Sequence, residues 1–238
     1  MRILIKSCFV YLFLLYSLAY MISAQSANNS IYLTQSNGAS TALTLNIDQI
    51  GNSNIVGTTS ARATLSGTSI TADFDQIGDS NSIAITAAQS NSASFTLRST
   101  GDSNTQTLAL GASGDVQSTD FDFTATGDSN VLLYTQGAAA TATSGNTDIV
   151  VTGTSNNLNI TSEVVGGVNN WDVDGSSNDI DTTQTGNANH SITADITGST
   201  NNIDIDQTNA TGSTSGIVDL VAISTGGVID IDQCTSGC

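Results

Sequence analysis

The chain has 238 residues, with 21 Asp and Glu against four Lys and Arg, for a formal net charge of −17. Such a polymer repels phosphate backbones and anionic lipid, which excludes most nucleic-acid and membrane-surface functions and leaves divalent cations as its natural electrostatic partners. It has no proline and 22 glycines; a chain so rich in Thr, Val, Ile, Asn and Asp is a poor helix former, so strands are expected.

The N-terminus opens on positive charge at Arg2 and Lys6, runs through an apolar stretch from Phe9 to Tyr20, and reaches the small residue Ala24. That run is too short to span a bilayer comfortably, and polar sequence follows at once. Residues 1–24 therefore read as a secretory signal peptide cleaved near Ala24/Gln25, with an uncleaved anchor as the competing reading. No later segment is apolar enough for membrane insertion after that cleavage. Residues 25–44 are expected to be an irregular N-terminal segment or a first rung.

From residue 45 to 233 one short unit keeps returning. It reads first as Ile47-Asp48-Gln49-Ile50-Gly51-Asn52-Ser53-Asn54 and again as Phe74-Asp75-Gln76-Ile77-Gly78-Asp79-Ser80-Asn81. Its Gly-x-x-Asn half recurs at Gly101/Asn104, Gly127/Asn130, Gly153/Asn156, Gly175/Asn178, Gly186/Asn189 and Gly198/Asn201, and a leading Gln returns at Gln184. The glycines fall about 22 to 27 residues apart, with two spacings near half of that, which is the signature of stacked repeats built from strand, turn, strand, turn.

Period-two alternation runs through each unit. Leu45, Ile47 and Gln49 share one face and Asn46 and Asp48 the other. Ala72, Phe74 and Gln76 oppose Asp73 and Asp75; Ile203, Ile205 and Gln207 oppose Asp204 and Asp206; Ile229, Ile231 and Gln233 oppose Asp230 and Asp232. The phase breaks after Asn189, where a bulge or register change is expected. Buried amides without partners cost about 2 to 7 kcal/mol, so inward Gln and Asn make sense only as ladders in which each copy bonds the next. The glycines are expected to supply a sharp corner at positive φ. The chain thus reads as an all-β solenoid of about nine rungs at the usual strand spacing.

The tail, residues 234–238, holds Cys234 and Cys238. A local disulfide, a metal half-site and an intermolecular link all stand open, and an exported context favours the disulfide.

The segment Leu45 to Asn54 resembles the curlin repeat of curli functional amyloid. The match is close at Gln49/Gly51/Asn54, Gln76/Gly78/Asn81 and Gln184/Gly186/Asn189. The resemblance implies a secreted subunit that leaves through outer-membrane export machinery, folds outside the cell into a solenoid, and joins related subunits or a nucleator in biofilm fibres. The Gln, Gly and Asn positions named above would then be its ladder and turn residues.

Other chemistry finds less purchase. The Asp-x-Asp pairs at 73/75, 120/122, 172/174, 179/181, 204/206 and 230/232 admit calcium, since carboxylates suit hard cations, or solvate the outer face. His190, the single histidine, reads as an exposed turn residue, because no nucleophile or orienting acid is placed to converge on it. Trp171, Tyr134 and Phe121 read as core fillers. Nothing in the sequence assembles a catalytic group, so the expectation is a structural protein rather than an enzyme, with self-association into fibres as its main interaction. A monomeric, calcium-loaded surface adhesin or phage-tail-like binding solenoid is the alternative.

Overall fold

Because β-branched and apolar residues alternate with polar ones over runs of eight or nine, the chain folds as strands with one dry and one wet face. The structure is a computed structural model. It describes residues 2–5, 11–12, 19–25, 29–36, 42–51, 53–57, 63–78, 80–87, 92–101, 103–110, 118–137, 144–163, 166–186, 190–209 and 216–235. The strands are β1 (Arg2–Ile5), β2 (Tyr11–Leu12), β3 (Ala19–Gln25), β4 (Tyr32–Ser36), β5 (Ala42–Ile50), β6 (Ala63–Ser66), β7 (Ser69–Ile77), β8 (Ser80–Ala87) and β9 (Ser92–Thr100). They continue as β10 (Ser103–Leu110), β11 (Ser118–Thr126), β12 (Ser129–Gln136), β13 (Ser144–Thr152), β14 (Ser155–Ser162), β15 (Gly167–Asp174), β16 (Ser177–Gly186), β17 (Ser191–Asn209) and β18 (Ile217–Thr235).

Up to β16 these strands pair in parallel with the strand two places on, and among the described residues no helix interrupts them. β7 lies on β5 and β9 on β7, while β10 lies on β8 and β12 on β10. Two ladders result, joined at their corners, and the protein is a parallel β-solenoid. From Ala42 onward six coils are strand–corner–strand units, β5/β6 through β15/β16. Two more are each a single bent strand, β17 and β18, whose halves join both ladders. That makes eight coils from Ala42 onward against about nine expected, and β3 and β4 continue the two ladders below them. In the full chain β3 adds to β5 in register, with Tyr20 on Leu45 and Ile22 on Ile47.

The core lies between the two ladders. In coil after coil the inward residues are buried, as with Leu45, Ile47, Phe74, Leu97, Phe123, Leu158, Ile180 and Ile203. Phe121 of β11 stacks on Tyr134 of β12 at 4.6 Å between ring centroids, so the two strands of one coil face each other across the core. Burial pushes the Tyr134 phenol well above its ordinary value, although a hydrogen bond with Thr147 partly offsets this. Trp171 is likewise buried. Fully burying side chains of this size contributes about 1.5 to 3 kcal/mol each, which is what offsets the ordering of so polar a chain.

Candidate functional site: amide columns and an open end

Seven of the eight coils turn at a glycine, Ser224 taking that position in β18, and in six of the seven the glycine N–H bonds the next coil. The N–H of Gly78 donates to the Thr100 carbonyl at 2.9 Å, that of Gly101 to Thr126 at 3.0 Å, and that of Gly127 to Thr152 at 3.0 Å. Gly51, Gly153 and Gly175 repeat the bond to Ile77, Asp174 and Thr197. The reason for glycine differs from the expected one. Gly51 and Gly78 do have positive φ, both 154°, but Gly101, Gly127, Gly153, Gly175 and Gly198 do not. What excludes a side chain there is the neighbouring coil. A Cβ on Gly101 would lie 1.7 Å from the Gly78 carbonyl oxygen, and one on Gly127 1.7 Å from that of Gly101.

Three residues beyond each glycine, Asn54, Asn81, Asn104, Asn130, Asn156, Asn178 and Asn201 form one buried column. Asn104 Nδ2 donates to Asn130 Oδ1 at 2.7 Å, Asn130 to Asn156 at 2.9 Å, Asn156 to Asn178 at 2.8 Å and Asn178 to Asn201 at 2.9 Å. The same Nδ2 atoms reach the backbone carbonyls of Thr126, Thr152, Asp174 and Thr197 in the next coil. Polarity reverses at the N-terminal side, where Asn81 donates to Asn54 at 2.6 Å. At the reversal Asn81 Oδ1 and Asn104 Oδ1 have no donor among the described residues.

Glutamine marks both corners. Before the glycine corner, Gln76 Nε2 donates to Gln49 Oε1 at 2.7 Å and to the Ser82 carbonyl across the turn at 3.1 Å. This pair ends at Ser99, which instead accepts from Gln106 at 2.8 Å. Gln184 belongs to the opposite corner, in a column with Gln207 and Gln233, whose amides are linked at 2.7 and 2.6 Å. Gly186 therefore sits at that second corner and not with the other turn glycines, and Asn189 lies outside the described residues. The phase break near residue 190 is this corner rather than a bulge: Ile192, Ala194 and Ile196 are inward and buried on the next strand. Gln136 and Ser162 continue the column below Gln184 and belong to the same corner.

His190 also departs from expectation. It is 1 % exposed, because it is the first inward residue of its coil rather than part of a turn. Its period-two phase with Ile192, Ala194 and Ile196 was the signal that could have placed it. Cys234 is half of a disulfide, and Cys238 lies outside the described residues.

The outer face carries the carboxylates. In the middle coils they alternate with amides: Asn146 donates to Asp120 at 3.0 Å, Asn170 to Asp148 at 2.7 Å and Asn202 to Asp179 at 2.8 Å. Arg98 bridges Asp73 and Asp75 at 2.8 and 2.6 Å. In two adjacent columns of the last coils there is no such alternation, and register stacks Asp181, Asp204 and Asp230 in one line and Asp206 and Asp232 beside it. Desolvation, and then these neighbouring charges, raise the Asp204 carboxyl above its ordinary value. A groove of about 420 Å³ runs over the outer face of β13, β15, β17 and β18, lined among others by Asp148, Asp172, Asp195 and Asp219. Among the described residues no group of three or more His, Cys, Asp or Glu is arranged to hold a metal ion.

Among the described residues β18 is the outermost strand of the stack at its C-terminal end, pairing with β17 along Ile217–Thr235. Ile229 and Ile231 continue the columns of Ile203 and Ile205, yet they are 50 % and 39 % exposed where Ile203 and Ile205 are 1 % and 0 %. Ile217, Val221, Ile223 and Val228 are exposed on the same strand. No protein-family model, curated protein or solved structure matches the chain.

Proposed function

We propose that the protein is a secreted, curlin-like structural subunit, exported behind a signal at residues 1–24, that adds coil on coil into extracellular fibres of a matrix or cell surface. The observation that carries this reading is the last described coil: a 19-residue edge strand whose inward isoleucines lack, among the described residues, the layer that covers every preceding copy. Unprotected edges of this kind template further strands. Support also comes from the in-register amide columns, since stacked identical amides satisfy one another in fibres as they do within this chain. A parallel coil with matching columns would extend both ladders without changing their geometry.

The competing reading is a monomeric binding solenoid stabilised by cations, favoured by the stacked carboxylates of β16, β17 and β18. One experiment separates the two. Purified protein beginning at Gln25 is incubated at high concentration with thioflavin, then viewed by electron microscopy. The fibre reading expects protease-resistant polymers whose lag shortens on seeding. Monomers that persist for days, and whose melting temperature climbs with millimolar calcium, would replace it with the adhesin reading.

A further inference from the structure

His190 opens β17's coil at the second corner, with its ring buried and neither Nδ1 nor Nε2 hydrogen-bonded among the described residues. Its column explains how the ring is accommodated. The preceding coil offers Gly167 at this position, one residue before the Val168–Ser191 register pair. The following coil offers Gly216, since the Ile217 N–H bonds the His190 carbonyl at 2.9 Å. The imidazole is thus stacked between two residues without side chains. Where glycine takes this position, its missing Cβ faces the glutamine of the corner just completed: Gln136 for Gly145 at 2.7 Å and Gln207 for Gly216 at 2.3 Å. His190 takes the equivalent position after Gln184, the glutamine of its own preceding corner.

Among the described residues the inward surroundings are polar but carry no charge. In the coil below, Asn169 is in register with Ile192, the next inward residue after His190, and Thr182 and Gln184 are inward on β16; all three are buried, each with an orphaned atom (Nδ2, Oγ1 and Nε2). The carboxylates of the strands packed around the ring all lie on the outer, exposed face: Asp172 and Asp174 on β15, Asp179 and Asp181 on β16, Asp195, Asp204 and Asp206 on β17, and Asp219, Asp230 and Asp232 on β18. None faces the imidazole to compensate a positive charge. Burying an unpaired charge is far costlier than burying a neutral imidazole.

We propose that His190 is an acid-sensitive latch on the C-terminal coils, holding β17 and β18 on the stack while neutral and loosening them when protonated. Desolvation lowers the pKa of the folded-state imidazole from its ordinary 6.5, so the sign is fixed. Above that ordinary value both folded and unfolded states are neutral and stability is complete. As pH falls below it the unfolded chain takes up the proton first, and stability is lost until the folded-state value is passed. In that window the folding equilibrium constant falls by up to about tenfold per pH unit.

The test compares the full chain with His190→Gln and with His190→Gly, the second reproducing the residue at 167 and 216. Melting midpoints are followed from pH 7.5 to 5, with hydrogen exchange corrected for its intrinsic pH dependence. Expected are a falling midpoint in the parent and a flatter profile in whichever variants fold. In the parent, protection should be lost first in 190–235 and later in 69–110. The ring resonance is identified without assignment, because the chain has one histidine. An imidazole titrating at or above 6.5, a variant profile parallel to the parent's, or uniform loss of protection would each overturn the latch. None of these outcomes depends on whether fibres form.

Discussion

At the scale of single residues, the turn glycines show how a solenoid constrains sequence through its neighbours. Five of the seven corner glycines adopt backbone angles open to other residues, yet a Cβ there would strike a carbonyl of the preceding coil at 1.7 to 2.5 Å. Such a collision is with backbone and cannot be relieved by a rotamer change. Gly127→Ala is therefore expected to destabilise by about 3 kcal/mol, at the upper end of overpacking costs, because two coils must separate locally. Ser129→Ala, two residues on and on the outer face, should stay within about 0.5 kcal/mol. Thermal melts of the two variants check this; equal losses would remove the carbonyl contact as the reason for glycine. The Gly-x-x-Asn positions were legible in the sequence because they recur, but their reason was not, since it lies in a residue a whole coil away. His190 was misplaced for the opposite cause: a single polar residue beside Asn-rich sequence suggested a turn, and its alternation with Ile192 was outweighed by composition.

At the scale of strands, what matters is which residues register brings side by side. The alternation of inward and outward residues was readable in advance because a strand's period is two and the inward set is apolar. The two kinds of corner were not. The glycine corner has a recurring motif, whereas the chain leaves the second corner through differing sequences after Gln136, Ser162, Gln184 and Gln207. Outer-face pairing was also beyond reach, because it depends on how many residues each second corner consumes. Register gives Asp120, Asp148 and Asp179 amide partners but leaves Asp204 between Asp181 and Asp230, with Asp206 and Asp232 adjacent. A carboxyl held above its unfolded pKa destabilises the fold when ionised, and that penalty disappears as pH falls through the folded-state value. Asp204→Asn should accordingly raise the melting temperature at pH 7 in low salt. The difference should shrink in molar salt, where exposed charges are screened beyond about 3 Å. A variant that melts with the parent at every ionic strength would show that the column's repulsion is already dissipated in solvent.

At the scale of the whole molecule, stability is close to a sum over coils and their interfaces, so one chemical change has different consequences at different heights in the stack. Ile203 and Ile229 occupy the same column in adjacent coils, but Ile203 is covered on both sides and Ile229 on one. Ile203→Lys places an ammonium in the dry interior and is expected to cost about 4 kcal/mol or more, enough to unfold the C-terminal coils of a marginally stable chain. Ile229→Lys leaves its charge at the open end, half in water, and should lower the melting temperature by only a few degrees. If the open end is where coils are added, that mild variant nevertheless blocks extension, because the next layer would have to bury the same ammonium. The informative combination is thus a folded Ile229→Lys protein, shown by an unchanged circular-dichroism spectrum, that neither polymerises nor elongates parent seeds. A variant that folds and still elongates seeds at the parent's rate would move growth away from β18.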